Sequence, residues 1–205
     1  PLQEGSGTTN YDGSGNNNHG TISGATWSTA NTIIPQTALV RQNKPMVFDG
    51  VNDYVDMGNS ASFNNQNVSM SYWVRQPAAT AYAGIIGNSH ASGRNGYRSG
   101  INASGKVEVL IADASSYELM LGTTTMDDNL LRHVVVTVDA SFLRIYVDGV
   151  AEGTPVARTK TITFTNNFRV GAWTNLVSYY SGHLGECVVW DEALTATEVT
   201  ALYNS

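Results

Sequence analysis

The chain has 205 residues, 41% hydrophobic and 14% charged, with a formal net charge of −6. That acidic balance argues against a nucleic-acid binder, which needs a basic face, and the hydrophobic content argues against a disordered chain. No stretch approaches the ~20 apolar residues of a membrane-spanning helix, and one cysteine, Cys187, allows no internal disulfide.

The opening, PLQEGSGTT, reads as the end of a strand running into a turn, so a piece of a larger protein is expected. Gly13 to Ala38 is weakly patterned and is read as ordered loop with one or two short strands, including Gly20 to Ile22. Pro45 to Asp49 and Asp53 to Met57 read as two short strands around Gly50-Val51-Asn52. Val68 to Arg75 alternates Val68, Met70, Tyr72 and Val74 with Ser69, Ser71, Trp73 and Arg75, which predicts a half-buried strand. Gly84 to Gly87, Gly96 to Ile101, Lys106 to Ala112 and Tyr117 to Leu121 follow, separated by Gly, Asn and Ser clusters. His133 to Asp139 and Phe142 to Val147 are the strongest pair, and Asp148-Gly149 is a favoured hairpin turn before Val150 to Gly153. Further strands are predicted at Thr161 to Phe164, Phe168 to Ala172 and Gly182 to Trp190, the last holding Cys187 as a small buried hydrophobe. One helix closes the chain. Thr195 and Glu198 form a capping box, Leu194 can staple to Val199, and Val199, Leu202 and Tyr203 share an apolar face. The expectation is a single all-β domain over residues 1–205: a two-sheet antiparallel β-sandwich with a short C-terminal helix.

Four segments, in order, carry a family resemblance. They are EGSGTTNYDGSGNNNHGTISGATW (4–27), MVFDGVNDYVDMG (46–58), LRHVVVTVDASFLRIYVDGV (131–150) and GHLGECVVWDEALTATEV (182–199). Together they resemble the concanavalin A-like lectin/glucanase superfamily, in its laminin G-like jelly-roll form. Arg132 stands where an aromatic is commoner, and Gly185 where an Asp is usual. The resemblance implies a further family strand before residue 1. The resemblance implies the jelly roll, which hosts many functions.

Three kinds of site chemistry follow. In DGSGNNN, Asp12, Ser14, Asn16 and Asn18 set oxygen side chains at alternate positions, as a hard cation such as calcium requires. The alternative is a Gly/Asn turn that satisfies its own backbone. Glu186, read on one strand face with Leu184, Val188 and Trp190, would need a cation or donors to offset burial. The resemblance implies a structural calcium between loops and the final strand, so Asp12, Asn16, Asn18 and Glu186 are the metal candidates, with Asp49 and Asp53 behind them. Hydrolysis lacks support: the superfamily's glucanases resemble one another in an E-x-D-x-x-E strand motif, which is not present, and a retaining glycosidase needs carboxyls ~5–5.5 Å apart. His19, His90, His133 and His183 have no metal-ligand spacing, and no nucleophile elbow occurs.

Sugar recognition needs aromatic faces beside polar groups. Two loops have that character: Trp173 to Tyr180, and Tyr82 to Tyr97 with Asn88, His90, Arg94 and Asn95. Trp173, Asn175, Tyr179, Tyr180, Tyr82 and Arg94 are the expected carbohydrate contacts, unless these aromatics merely cap the sandwich edge. The sequence therefore reads as a non-catalytic module that binds a glycan or polysaccharide in an extracellular, cell-surface or virion setting, with no nucleic acid and no membrane insertion. A protein-adhesion or assembly module, and a glycosidase or lyase, stay open as alternatives.

Overall fold

The computed structural model describes residues 5–29, 44–77, 82–89 and 95–205. The described strands are β1 (Thr9–Asn10), β2 (Gly20–Ser23), β3 (Thr26–Trp27), β4 (Met46–Asp49), β5 (Tyr54–Asp56), β6 (Val68–Arg75), β7 (Ala83–Gly87) and β8 (Asn95–Ile101). They continue with β9 (Lys106–Asp113), β10 (Tyr117–Thr125), β11 (Leu131–Val138), β12 (Phe142–Val147), β13 (Val150–Ala157), β14 (Arg169–Val170) and β15 (Ser181–Trp190), and helix α1 (Ala196–Asn204) ends the chain. They form two antiparallel sheets, one of eight strands in the order β1-β2-β5-β14-β7-β8-β9-β10 and one of seven in the order β13-β12-β11-β6-β15-β4-β3.

Alternation builds the core. Val68, Met70, Tyr72 and Val74 of β6 meet Tyr97 and Ile101 of β8 and Val107, Val109 and Ile111 of β9 in one buried cluster. Within it, Tyr72 Oη and Ser99 Oγ are 2.7 Å apart and link the two sheets. The polar face predicted for β6 is not solvated. Ser69 and Ser71 are buried, because α1 lies over this side: Val199 packs on Val135 and Tyr146, with Leu194 and Leu202 at the margin. Both halves of the Thr195–Glu198 capping box form.

Three expectations change. The predicted β4/β5 strand pair divides: β4 joins β3 and β15, whereas β5 joins β2 and β14 in the other sheet. Asp49 and Asp53 hold that crossing, Asp53 Oδ2 accepting from Asp49 N and Asp49 Oδ1 from Val51 N. Thr161 to Phe164 is not a strand. Its backbone is spent on irregular partners, Ile162 N on Gln66 Oε1 and Thr163 O on Gly96 N. Finally, β15 carries a bulge between Gly185 and Val188, with Glu186 at φ 41°. The extra residue shifts the alternation: Leu184, Cys187 and Val189 turn to the core, while Val188 and Trp190 pair with Ser71 and Ser69 on the other face. Burial pushes the Cys187 thiol up to about 12, so it packs as an inert hydrophobe.

Two carboxylates tie β10 to β13 and to the chain after it. Glu152 of β13 accepts from the main-chain N–H and the hydroxyl of both Thr123 and Thr124. Glu118 accepts from Thr159 N and Oγ1.

Candidate functional site

On the eight-stranded sheet, Val109 and Met120 face the core, so Glu108, Leu110, Tyr117, Leu119 and Leu121 face outward by alternation. Arg98 joins them from β8, opposite Leu110. The loop after β14 folds onto this outer face. A Cβ on Gly84 would lie 2.3 Å from Trp173 Cδ1 and 2.6 Å from the Ala172 carbonyl carbon. One on Gly100, its register partner in β8, would meet Ala83 O at 2.5 Å and Trp173 Nε1 at 3.5 Å. Two glycines therefore let the indole lie against the strand backbones. Gly84 N donates to Ser178 O at 2.8 Å and ties the loop down.

Arg98 stacks on that indole, its guanidinium carbon 4.2 Å from the ring centroid. Arg98 Nε and Nη2 donate to Glu108 Oε1 at 3.2 and 3.0 Å. The two residues are 5% and 2% exposed. Burial pulls the Arg98 guanidinium down from its ordinary value and Glu108 opposes that pull; a guanidinium stays charged through such a shift. Tyr82 flanks the indole with ring centroids 5.9 Å apart. Tyr82 and Tyr117 are each half exposed. The floor is thus a buried cation, indole and carboxylate, with Tyr82 beside the indole and Tyr117 outward on the same sheet face. Among the described residues, buried Arg98 Nη1 and Trp173 Nε1 have no acceptor. An unmet buried donor costs about 1–3 kcal/mol.

Of the residues predicted for sugar contact, Trp173 and Tyr82 come together here. Asn175 is exposed and Tyr179 half-buried on the same loop, where Tyr179 bridges Ala172. Tyr180 belongs elsewhere. It is fully buried, edge-on to Phe48, and its hydroxyl donates to Arg75 O at 2.8 Å. It is a core residue because it stands just ahead of β15, between the sheets. Tyr97 likewise points into the core and donates to Phe63 O. Arg94 and His90 lie outside the described residues. Sequence reasoning missed Arg98, Glu108 and Tyr117. The signal was present: each stands at the outward parity of a strand whose alternate positions are apolar.

Residues 49–200 match the family model described as the concanavalin A-like lectin/glucanases superfamily. The chain belongs to that superfamily. Among solved structures it is similar to the binding domain of botulinum neurotoxin serotype G (TM-score 0.68, 15% identity, 95% of this chain and 49% of that one). It is similar to domain 4 of AbnA, a GH43 extracellular arabinanase of Geobacillus stearothermophilus, in complex with arabinotriose (0.65, 19%, 90% and 87%). A third is the binding domain of botulinum neurotoxin DC in complex with rat synaptotagmin II (0.69, 13%, 98% and 50%). The chain spans about half the length of the toxin domains it matches. No curated protein matches it. At these identities the likeness shows the fold, and these neighbours are binding domains.

In this concanavalin A-like chain the cation candidates take other partners. Asp12 Oδ1 accepts from Ser14 N, and Oδ2 from Ser14 Oγ and Asn18 N, at 2.7–3.0 Å. Burial raises the Asp12 carboxyl, but the Ser14 and Asn18 donors outweigh it and hold it below the ordinary value. Asn16 N donates to Ser14 Oγ, and the Asn18 amide to Ser62. These are the bonds of a self-satisfied Gly/Asn turn, the alternative to a cation loop. Glu186 sits in the bulge of β15 and does not share the apolar face inferred for it. Among the described residues no three His, Cys, Asp or Glu side chains group to hold a metal, and no helix is long and apolar enough to cross a membrane.

Proposed function

We propose that the chain is a non-catalytic carbohydrate-binding module that takes glycan on the outer face of its eight-stranded sheet, in an extracellular, cell-surface or virion setting. The observation that carries this reading is the packing of Tyr82, Trp173 and Arg98 from separate elements into one aromatic surface, with half-exposed Tyr117 outward on the same sheet face. Aromatic side chains present a rigid apolar face, with a hydroxyl or N–H at the edge, to the C–H face of a sugar ring. The acid on this face, Glu108, is engaged by Arg98, which favours binding over acid–base chemistry there. The arabinotriose complex of a structural neighbour supports the same reading.

A glycan array followed by calorimetry tests it. Tyr82→Ala and Tyr117→Ala should each weaken binding about tenfold, with the fold intact by circular dichroism, since each deletes a stacking face worth about 1 kcal/mol or more. Unchanged affinity in both variants, or an array without a hit, would remove the proposal.

A further inference from the structure

Trp173 and Arg98 are themselves 6% and 5% exposed, so a ligand on this face meets the side chains that stand around them. Two stations are accessible. One is Tyr82, half exposed beside the indole. The other is the outward stripe of β10, Tyr117, Leu119 and Leu121, whose first and last members are exposed. Strand register sets their separation. Tyr82 directly precedes Ala83, which pairs with Ile101 of β8. Tyr117 pairs with Ala112 of β9, and Ala112 with Gly96 of β8. From Gly96 to Ile101 is about 17 Å along the strand, and from β7 to β10 is about 14 Å across the sheet. Tyr82 and Tyr117 are therefore attached about 20 Å apart on one side of one sheet. A single sugar ring cannot rest on both, and one stacking face alone falls far short of even millimolar affinity.

From this, and resting on the carbohydrate reading above, we infer that the face takes an extended oligosaccharide or polysaccharide chain, one ring seated on Tyr82 and another, several rings along the same chain, on Tyr117. A lone sugar reaches one station only. Joining the two contacts through one ligand makes the second contact intramolecular, so two weak stacking contacts reinforce each other without any new bond to the protein. Chain length is then what the pair of tyrosines selects.

The test is calorimetry of the intact chain with ladders of linear arabinan, xylan, β-glucan and chitin oligosaccharides, each running from a single ring to about six. In a ladder that binds, Kd should fall about tenfold or more from the short members to the long ones, and then level once the chain reaches both tyrosines. Tyr82→Ala and Tyr117→Ala should each flatten that rise in affinity while changing Kd for the shortest measurable member by less than about twofold. Both side chains are half exposed, so both variants should keep the fold by circular dichroism, and the ladder on the unaltered chain decides without them. A single ring bound as tightly as the longest member, or a rise that persists in either variant, overturns the two-station site and leaves the carbohydrate reading standing. Failure of every ladder to bind overturns the two together.

Discussion

His133 forms a triangle with the Trp73 and Tyr203 rings, its centroid 4.8 and 6.0 Å from theirs and those two 6.1 Å apart, and its Nε2 is 2.8 Å from Ser71 Oγ. Its Nδ1 has no partner. Burial lowers its pKa from 6.5 to about 4, and nearby Asp148 opposes that only weakly. Between those values the unfolded chain binds a proton that the native chain does not, so stability rises with pH from 4 to 6.5 and is level above. The contribution lost on acidification is about 3 kcal/mol. Melting curves of the natural chain and His133→Gln, taken across that range, should converge as the pH falls; a constant difference would show that the imidazole does not titrate there. This residue was half legible. Its place in a hairpin motif marked it as structural, but nothing in the sequence shows that α1 seals it. Tyr180 failed for the related reason that an aromatic residue near a loop looks the same whether it turns in or out.

At the scale of elements, β7 and the loop after β14 depend on each other. Gly84→Val would drive a side chain into the Ala172–Trp173 backbone, lift the indole from Arg98 and expose the pair. Overpacking of this kind costs about 1–3 kcal/mol. Tryptophan fluorescence should shift to the red and glycan affinity should fall, while a distant change such as Val51→Thr should do neither. A spectrum unchanged by Gly84→Val would show that the loop has another anchor. The Asp12 turn makes the opposite kind of claim. Its geometry comes from its own N–H and O–H donors, so Asp12→Ala should lower stability by about 1 kcal/mol, and a chelator should leave the melting temperature unmoved. Melting that falls with chelator and recovers with calcium would reinstate a bound cation. Period-2 patterning predicted β6, β8, β9, β11 and β12 well because their faces differ in polarity. It misplaced Glu186 because a bulge adds a residue without any residue-type signature, and it lost Arg98 and Glu108 because a charged pair on an outer face reads as a solvated one.

For the whole molecule, the sandwich was readable from many short alternating strands, whereas strand order was not: β15 between β4 and β6, or β14 between β5 and β7, is a long-range choice that local pattern does not encode. What joins the halves is a single core with a polar link inside it. Ser99 Oγ donates to Glu108 O at 3.0 Å and so is left to accept from Tyr72 Oη. The two partners are therefore unequal. Tyr72→Phe removes a donor and leaves a hydroxyl oxygen that still donates, a loss of about 1 kcal/mol. Ser99→Ala strands the buried Tyr72 hydroxyl with no acceptor, a loss of about 2–3 kcal/mol. Because β6 and β8 lie in different sheets, either loss should be felt by both. Trp173 reports on the eight-stranded sheet and Trp73 on the seven-stranded one, so single-tryptophan variants retaining one or the other should unfold in urea at the same midpoint and shift together when Ser99 or Tyr72 is changed. Separate midpoints would mean that the sheets unfold independently, and an equal cost for the two substitutions would mean that the proton between them runs the other way.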